Sequence, residues 1–441
     1  MNRNEFSRYL ICDNIDISEN GHLLFAGRDT TEMIKKYGSP MFLMDEERIR
    51  HNCRVYRDAL ERNFGSDAIA LYASKAASFK RIYEIVAEEG LGCDVVSCGE
   101  IFTARRAAFP LSRAYFHSNN KTDADIEYAI DHGVGYFVCD NEEEVYAINR
   151  IAGEKGVRQK ILLRITPGID PHTYAAVATG KVDSKFGSAI ETGQADAITR
   201  IALAQSNIIL SGFHCHVGSQ VFDAEVYLSS TKIMLDFIKH IKDTTGYEAD
   251  ELDLGGGFGV RYVEEDPTLN IGEKIDELAA FIKKYVCELG LNMPKIRLEP
   301  GRSIIADTCL TLYTVGTVKR IPGYKTYVSV DGGMTDNPRF ALYGSRYTVL
   351  AANKATERCD FECSVVGRCC ESGDIIQENV RLPGSITRGD VIAVLTTGAY
   401  NYSMSSNYNR IGRLPIVMLS KDTDYLAVRR ESLEDIARND I

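Results

Sequence analysis

The chain has 441 residues, 44% hydrophobic and 26% charged, with a formal net charge of −11. At about 100–200 residues per domain, that length predicts more than one domain, each with a full core. The acidic balance excludes a nucleic-acid-binding role, which needs clustered lysine and arginine, and no apolar run reaches the ~20 residues of a membrane span.

The opening stretch, MNRNEFSRYLICDNIDISENG, has no apolar segment followed by a cleavage site. It predicts no signal peptide, and a cytoplasmic location by default. Short strand-like pieces follow, HLLFAG and SPMFLMD. Residues 1–39 are expected to pack with a C-terminal β domain.

From Ala68 onward, eight apolar runs appear in turn, most of them followed by an amphipathic helix pattern. They are AIALYAS from Ala68, GCDVVSC from Gly92, AYFHS from Ala114, GYFVCD from Gly135, KILLRITP from Lys160, LSGFHCHVG from Leu210, ELDLGGG from Glu251 and KIRLEPG from Lys295. Helical stretches such as FKRIYEIVAEEG, TDADIEYAIDHG and NEEEVYAINRIAGEKG end in a glycine suited to a helix C-terminus. Strand–helix alternation implies a parallel sheet with right-handed crossovers. Eight units predict a closed (β/α)8 TIM-type barrel over residues 40–307. An open doubly wound sheet is the rival arrangement.

After about Asp307 the pattern changes to short alternating segments: LTLYTVGTVKR, YKTYVSVDGG, FECSVVGR, DVIAVLTTGAY and IVMLSKD. Residues 308–441 read as an antiparallel β-barrel or sandwich domain. The twelve cysteines are scattered without a CxxC pair, so neither disulfides nor structural zinc are expected.

Polar residues gather at the ends of the predicted barrel strands, where a parallel barrel places its active site. Lys75, closing the first run, is either an ordinary rim lysine or a desolvated amine suited to Schiff-base chemistry. His214 and His216 lie two apart, so a strand would point them to one side. Such a pair could bind metal with a third ligand, or one imidazole could stack on a flat cofactor ring ahead of the Gly-Ser turn at Ser219. In LDLGGGFG, Gly255, Gly256, Gly257 and Gly259 match neither the dinucleotide nor the Walker spacing. A phosphate-monoester cradle and a plain tight turn both remain open. Glu299 and Arg302 in RLEPGRS are either a salt bridge, or a carboxylate for a pyridine nitrogen beside an arginine for an anion. In the β domain, Arg339, Tyr343 and Tyr400 sit in loop-like runs of small polar residues, which suggests binding. Cys370, beside Glu371, could equally be a buried thiol next to a surface acid.

In order along the chain stand YASKA, SCGE, NNK, TGKVDSKFG, HCHVGSQ, LDLGGGFG, EPGR, GMTDNPRFALYG, CESGD and GAYNYSMSSNYN. Together these strings resemble the fold-type III pyridoxal-phosphate-dependent decarboxylases, from about residue 10 to about residue 435. That family joins an alanine-racemase-like barrel to a β domain. The strings at 299–302, 334–344 and 370–374 are most similar to the branch that decarboxylates meso-2,6-diaminopimelate to L-lysine. The resemblance implies pyridoxal 5′-phosphate held by Lys75 as a Schiff base, with His216 stacked on its ring and Glu299 on its ring nitrogen. It also implies cofactor contacts from Asp94, Ser219, Gly256, Gly257, Gly301, Arg302 and Tyr400. For the substrate it implies Arg302, Arg339 and Tyr343 around the distal carboxylate, a contact from Tyr400, Glu371 for the distal ammonium and Cys370 as proton donor. The last two would come from the partner subunit of a homodimer with shared active sites. Ornithine and lysine lack the distal carboxylate, so Arg339 with Tyr343 separates this branch from the decarboxylases of other basic amino acids. No metal is implied. The sequence departs from the family's pattern at Ser118, where glycine is usual, and at Phe340, where proline is frequent.

Overall fold

The computed structural model describes residues 11–169 and 184–441. The chain forms two compact units. One comprises Arg50–Gly259 and Leu269–Ser303; the other comprises the chain up to Ile49, Val260–Thr268 and Ile304–Ile441.

All eight apolar runs become parallel strands of the first unit: β1 (Ile69–Ala73), β2 (Gly92–Val95), β3 (Ala114–Phe116), β4 (Tyr136–Cys139), β5 (Gln159–Thr166), β6 (Ile208–His214), β7 (Glu251–Asp253) and β8 (Lys295–Leu298). Each pairs in parallel with its neighbours in sequence. β8 returns to β1 through Arg297↔Ile69 and Leu298↔Ala70, which closes the barrel and removes the open-sheet alternative. Leu71, Tyr115, Val138 and Leu162, from β1, β3, β4 and β5, form an apolar cluster of the barrel. The outer helices start at polar caps. Ser97 accepts from Glu100 N, Thr122 and Asp125 form a capping box, and Asn141 accepts from Glu144 N. Gly90, Gly133 and Gly156, which end the three quoted helical stretches, all take positive φ.

The second unit is built on a predominantly antiparallel sheet. Its strand order is Ile375–Leu382, Phe361–Val366, Lys325–Val330, Cys309–Ile321, Met41–Asp45, Ile416–Leu419, Asp424–Val428, with Val391–Val394 also paired to Cys309–Ile321. Two pairings are parallel: Lys325–Val330 with Phe361–Val366, and Met41–Asp45 with Ile416–Leu419. Both join strands separated by long connections rather than hairpins, which is what parallel pairing requires. Met41–Asp45 is therefore a central strand of this sheet, so the N-terminal contribution runs past residue 39. Leu23, Phe25 and Met33 share a core with Met41, Leu43, Leu310, Leu312 and Val417.

Candidate active site

The barrel unit brings one group of polar side chains to the C-terminal ends of its strands. Lys75 follows β1 in a tight turn, Ser74–Ala76. Asp94 lies on β2, paired in register with Ala73, and is 2% exposed. Burial, opposed by His117 and reinforced by Glu299, pushes its carboxyl up to about 6, and the charge of Lys75 also acts on it. The described residues offer no hydrogen-bond partner to Asp94 Oδ1.

Glu299 follows β8, with its backbone N–H donating to Gly255 O at 2.7 Å. His117 Nε2 lies 2.6 Å from one carboxylate oxygen and His214 Nε2 lies 3.1 Å from the other. Burial is the largest single influence on Glu299 and opposes its charge. The two imidazoles together outweigh it and hold the carboxyl well below the usual range. Burial also pushes both imidazoles below their ordinary value, against the attraction of Glu299. The state consistent with all three shifts is an ionised Glu299 held between two neutral imidazoles. His117, His214 and Glu299 keep their ligand-type atoms within 4.8 Å of one another. A separation of 2.6 Å, however, is too short for two ligands of one tetrahedral ion, which at ~2.0–2.1 Å from the metal would stand about 3.3 Å apart.

His216 lies just past β6 and is locked differently. Gly256 N–H donates to its Nδ1 at 3.3 Å. Burial, then the charges of Lys75 and Arg164, push this imidazole well below its ordinary value. His214 and His216 thus serve different partners, Glu299 and Gly256, and do not form a metal-binding pair.

The glycines explain how the loops after β6, β7 and β8 come together. A Cβ at Gly256 would fall 2.0 Å from Glu299 O, and one at Gly257 would fall 2.1 Å from Gly218 O. A Cβ at Gly301 would fall 2.9 Å from Ala73 Cβ, so glycine there lets the β8 loop approach β1. Arg302 Nη2 donates to Ser219 Oγ at 3.0 Å beside this cradle. Of the residues predicted for cofactor binding, the barrel thus supplies Lys75, Asp94, His216, Ser219, Gly256, Gly257, Glu299, Gly301 and Arg302 at its strand ends. Thr179–Asp183 of the TGKVDSKFG string lie outside the described residues.

Sequence reasoning gave no role to His117 or Arg164 and left that of His214 open. Each lies at or near a strand end, β3, β5 and β6, which is the signal that could have found them. Arg164, whose guanidinium sits 4.4 Å from the Phe186 ring, exerts its charge on Glu299 and Asp94. Ser118 takes φ +127°, a conformation that explains why glycine is usual there.

The second unit holds another group. Arg339 opens the short helix Arg339–Tyr343 and is 7% exposed. Its guanidinium carbon lies 5.1 Å from the Tyr343 ring and 5.2 Å from the Tyr400 ring. The described residues give its Nε no hydrogen-bond partner. Tyr400 takes φ +63°, a strained conformation for a non-glycine residue. Cys370 and Glu371 are exposed, contrary to a buried-thiol reading of Cys370. Cys370 N–H donates to Asn409 Oδ1 at 2.7 Å. Asp374 ties their loop to the 333–339 loop by accepting from Cys369 N at 2.7 Å and Met334 N at 2.6 Å.

The barrel group fits a phosphorylated pyridine ring. It offers a lysine, a neutral imidazole, a glycine cradle with an arginine and a serine, and a buried carboxylate held ionised. Such a fold and donor set define a pyridoxal-phosphate enzyme built on a barrel, and residues 46–306 match the family model described as "Pyridoxal-dependent decarboxylase, pyridoxal binding domain". The chain belongs to the pyridoxal-dependent decarboxylase family, and pyridoxal phosphate is its cofactor. Among individual proteins, it is 42% identical over 417 residues to the diaminopimelate decarboxylase of Bacillus methanolicus, covering 95% of this chain and 96% of that one. It is 40% identical over 424 residues to the enzyme of the same name from Bacillus subtilis, covering 96% of each. The crystal structure of diaminopimelate decarboxylase from M. jannaschii in complex with L-lysine superposes with a TM-score of 0.91 at 32% identity, covering 97% of this chain and 98% of that one.

Proposed function

We propose that the protein decarboxylates meso-2,6-diaminopimelate to L-lysine and carbon dioxide. The observation that carries the substrate assignment is Arg339. It is a buried cation stacked against Tyr343 and Tyr400, with a donor left over. Leaving that donor without a partner is costly unless an anion arrives to meet it. A carboxylate at the far end of the substrate supplies that anion, and ornithine, arginine and lysine have none there.

Pyridoxal phosphate, when bound, supplies the electron sink for the pair of electrons left by the departing carboxylate. Lys75 holds the cofactor covalently, and His216 faces its ring as a neutral imidazole. Ser219, Gly256, Gly257, Gly301 and Arg302 receive its phosphate. Glu299 keeps a proton on its ring nitrogen, and Asp94 and Tyr400 complete its contacts. Arg302, Arg339, Tyr343 and Tyr400 orient the distal carboxylate, and Glu371 meets the distal ammonium. Cys370 delivers a proton to the carbon that has lost carbon dioxide.

The exposure of Cys370 and Glu371 in the single chain supports their working in a homodimer with shared active sites, where each subunit completes the other's site. Among the described residues no helix is long and apolar enough to cross a membrane. The test is product analysis. Purified protein supplied with pyridoxal phosphate and meso-diaminopimelate is expected to yield lysine and carbon dioxide one to one. Absence of lysine refutes the assignment.

A further inference from the structure

Glu299 is served by two imidazoles from strands that are not neighbours in the barrel. His117 follows β3, His214 ends β6, and Glu299 follows β8. His117 Nε2 stands 2.6 Å from one carboxylate oxygen as a close ion-pair contact, and His214 Nε2 hydrogen-bonds the other at 3.1 Å. The rings meet edge to face, with centroids 4.9 Å apart and planes at 72°. His117, His214 and Glu299 are 5%, 1% and 7% exposed, so water does not compete for these contacts. His214 Nδ1 has no hydrogen-bond partner among the described residues, so the polar commitment of that ring is to Glu299. An ionised carboxylate accepts about four hydrogen bonds, so two remain for another donor.

We propose that His117 and His214 are positioning residues for the reaction: they fix the Glu299 carboxylate, one imidazole against each oxygen, so that it keeps its negative charge for the ring nitrogen of pyridoxal phosphate. The inference rests on the reading of Glu299 as the partner of that nitrogen. The surroundings need such a device, because two more buried carboxyls, Asp94 and Asp253, face Glu299 and repel its charge. Burial, then the charge of Glu299, pushes the carboxyl of Asp253 well above its ordinary range. Arg164, Lys75, His216 and Cys215 also face the cluster, while Arg297 acts on Asp253 and Glu100 on Asp94. Without the imidazoles, burial would drive a proton onto Glu299 and away from the ring nitrogen.

The test compares amides of different reach. In His117→Gln and His214→Gln, the terminal amide nitrogen reaches about as far as imidazole Nε2. In His117→Asn and His214→Asn, it falls short by one methylene, with similar polarity. Each variant is reconstituted with cofactor labelled with 15N at the ring nitrogen, and protonation of that nitrogen is followed by NMR across neutral to alkaline pH. The nitrogen is expected to stay protonated in wild type and the Gln variants, and to lose its proton at lower pH in the Asn variants. The kcat of the Asn variants is expected to fall about tenfold, the scale of one hydrogen bond to a charged group, with KM changed less than about twofold. Wild-type protonation and kcat in both Asn variants would overturn the proposal. Glu299→Gln separates the two levels. If it too leaves the nitrogen protonated, the reading of Glu299 fails. If it deprotonates the nitrogen while the Asn variants do not, only the role of the imidazoles fails.

Discussion

Replacing Arg339 with leucine should separate substrate recognition from stability, because the two effects differ greatly in size. In the free protein the guanidinium is 7% exposed and its Nε lacks a hydrogen-bond partner among the described residues. Burying an unsatisfied donor costs about 1–3 kcal/mol. The two ring contacts, at 5.1 and 5.2 Å, return about 0.5–1 kcal/mol each. These terms nearly cancel, so Arg339→Leu should leave the apparent melting temperature within about 3 °C of wild type. Turnover should respond very differently. With leucine in place, the distal carboxylate of diaminopimelate enters a partly desolvated site without its cation. Losing a charge-assisted pair costs about 2–4 kcal/mol, or about 30- to 10³-fold in kcat/KM. The assay is lysine formation from meso-diaminopimelate under steady-state conditions, alongside a melting curve of the same preparation. A loss of less than about threefold in kcat/KM, with the protein folded, would refute the role given to Arg339.

Gly256→Ala places a Cβ 2.0 Å from Glu299 O and must push two strand-end loops apart. It should weaken cofactor binding by about 10²-fold or more, measured by titrating apoprotein with pyridoxal phosphate; unaltered affinity contradicts the cradle. Asp336 accepts from the Tyr313 hydroxyl and from Gly333 N at 3.1 Å, and burial pushes its carboxyl up to about 7, from 3.8. The folded state therefore holds this proton where the unfolded chain has released it. The contribution of Asp336 to stability is most favourable below about pH 4 and is lost as pH rises toward about 7. Asp336→Asn should remove that part of the pH dependence of denaturant unfolding, and identical slopes in the two proteins would contradict it. Mixing inactive Lys75→Ala with inactive Cys370→Ala should restore part of the activity through hybrid sites. No recovery, with subunit exchange demonstrated, would show that each site is built from one chain.

The barrel was legible because its strands are largely buried on both faces and read as apolar runs with helix patterns between them. The same property misplaced SPMFLMD. Met41–Asp45 is fully buried, so no alternation marks which sheet it enters. It lies between Cys309–Ile321 and Ile416–Leu419, partners more than 250 residues away. Lys75 and Glu299 could be singled out because each closes a strand. The pairing of Glu299 with His117 and His214 could not, since only barrel closure brings together side chains 182 and 85 residues apart in sequence. The glycine run admitted either a cradle or a plain turn until the carbonyls of Glu299 and Gly218 occupied the space of the missing Cβ atoms. The exposure of Cys370 was equally hidden, because that loop is set by hydrogen bonds to the Asp374 side chain rather than by hydrophobic pattern.

The most direct test of the whole account is a side-by-side measurement of kcat/KM for carbon dioxide release from meso-diaminopimelate, ornithine, arginine and lysine on one preparation of the holoenzyme. A site that reads a distal carboxylate through Arg339 predicts a preference for meso-diaminopimelate of about 10²-fold or more over each of the others. Equal or better turnover of ornithine would contradict the substrate assignment while leaving the cofactor and the fold as described.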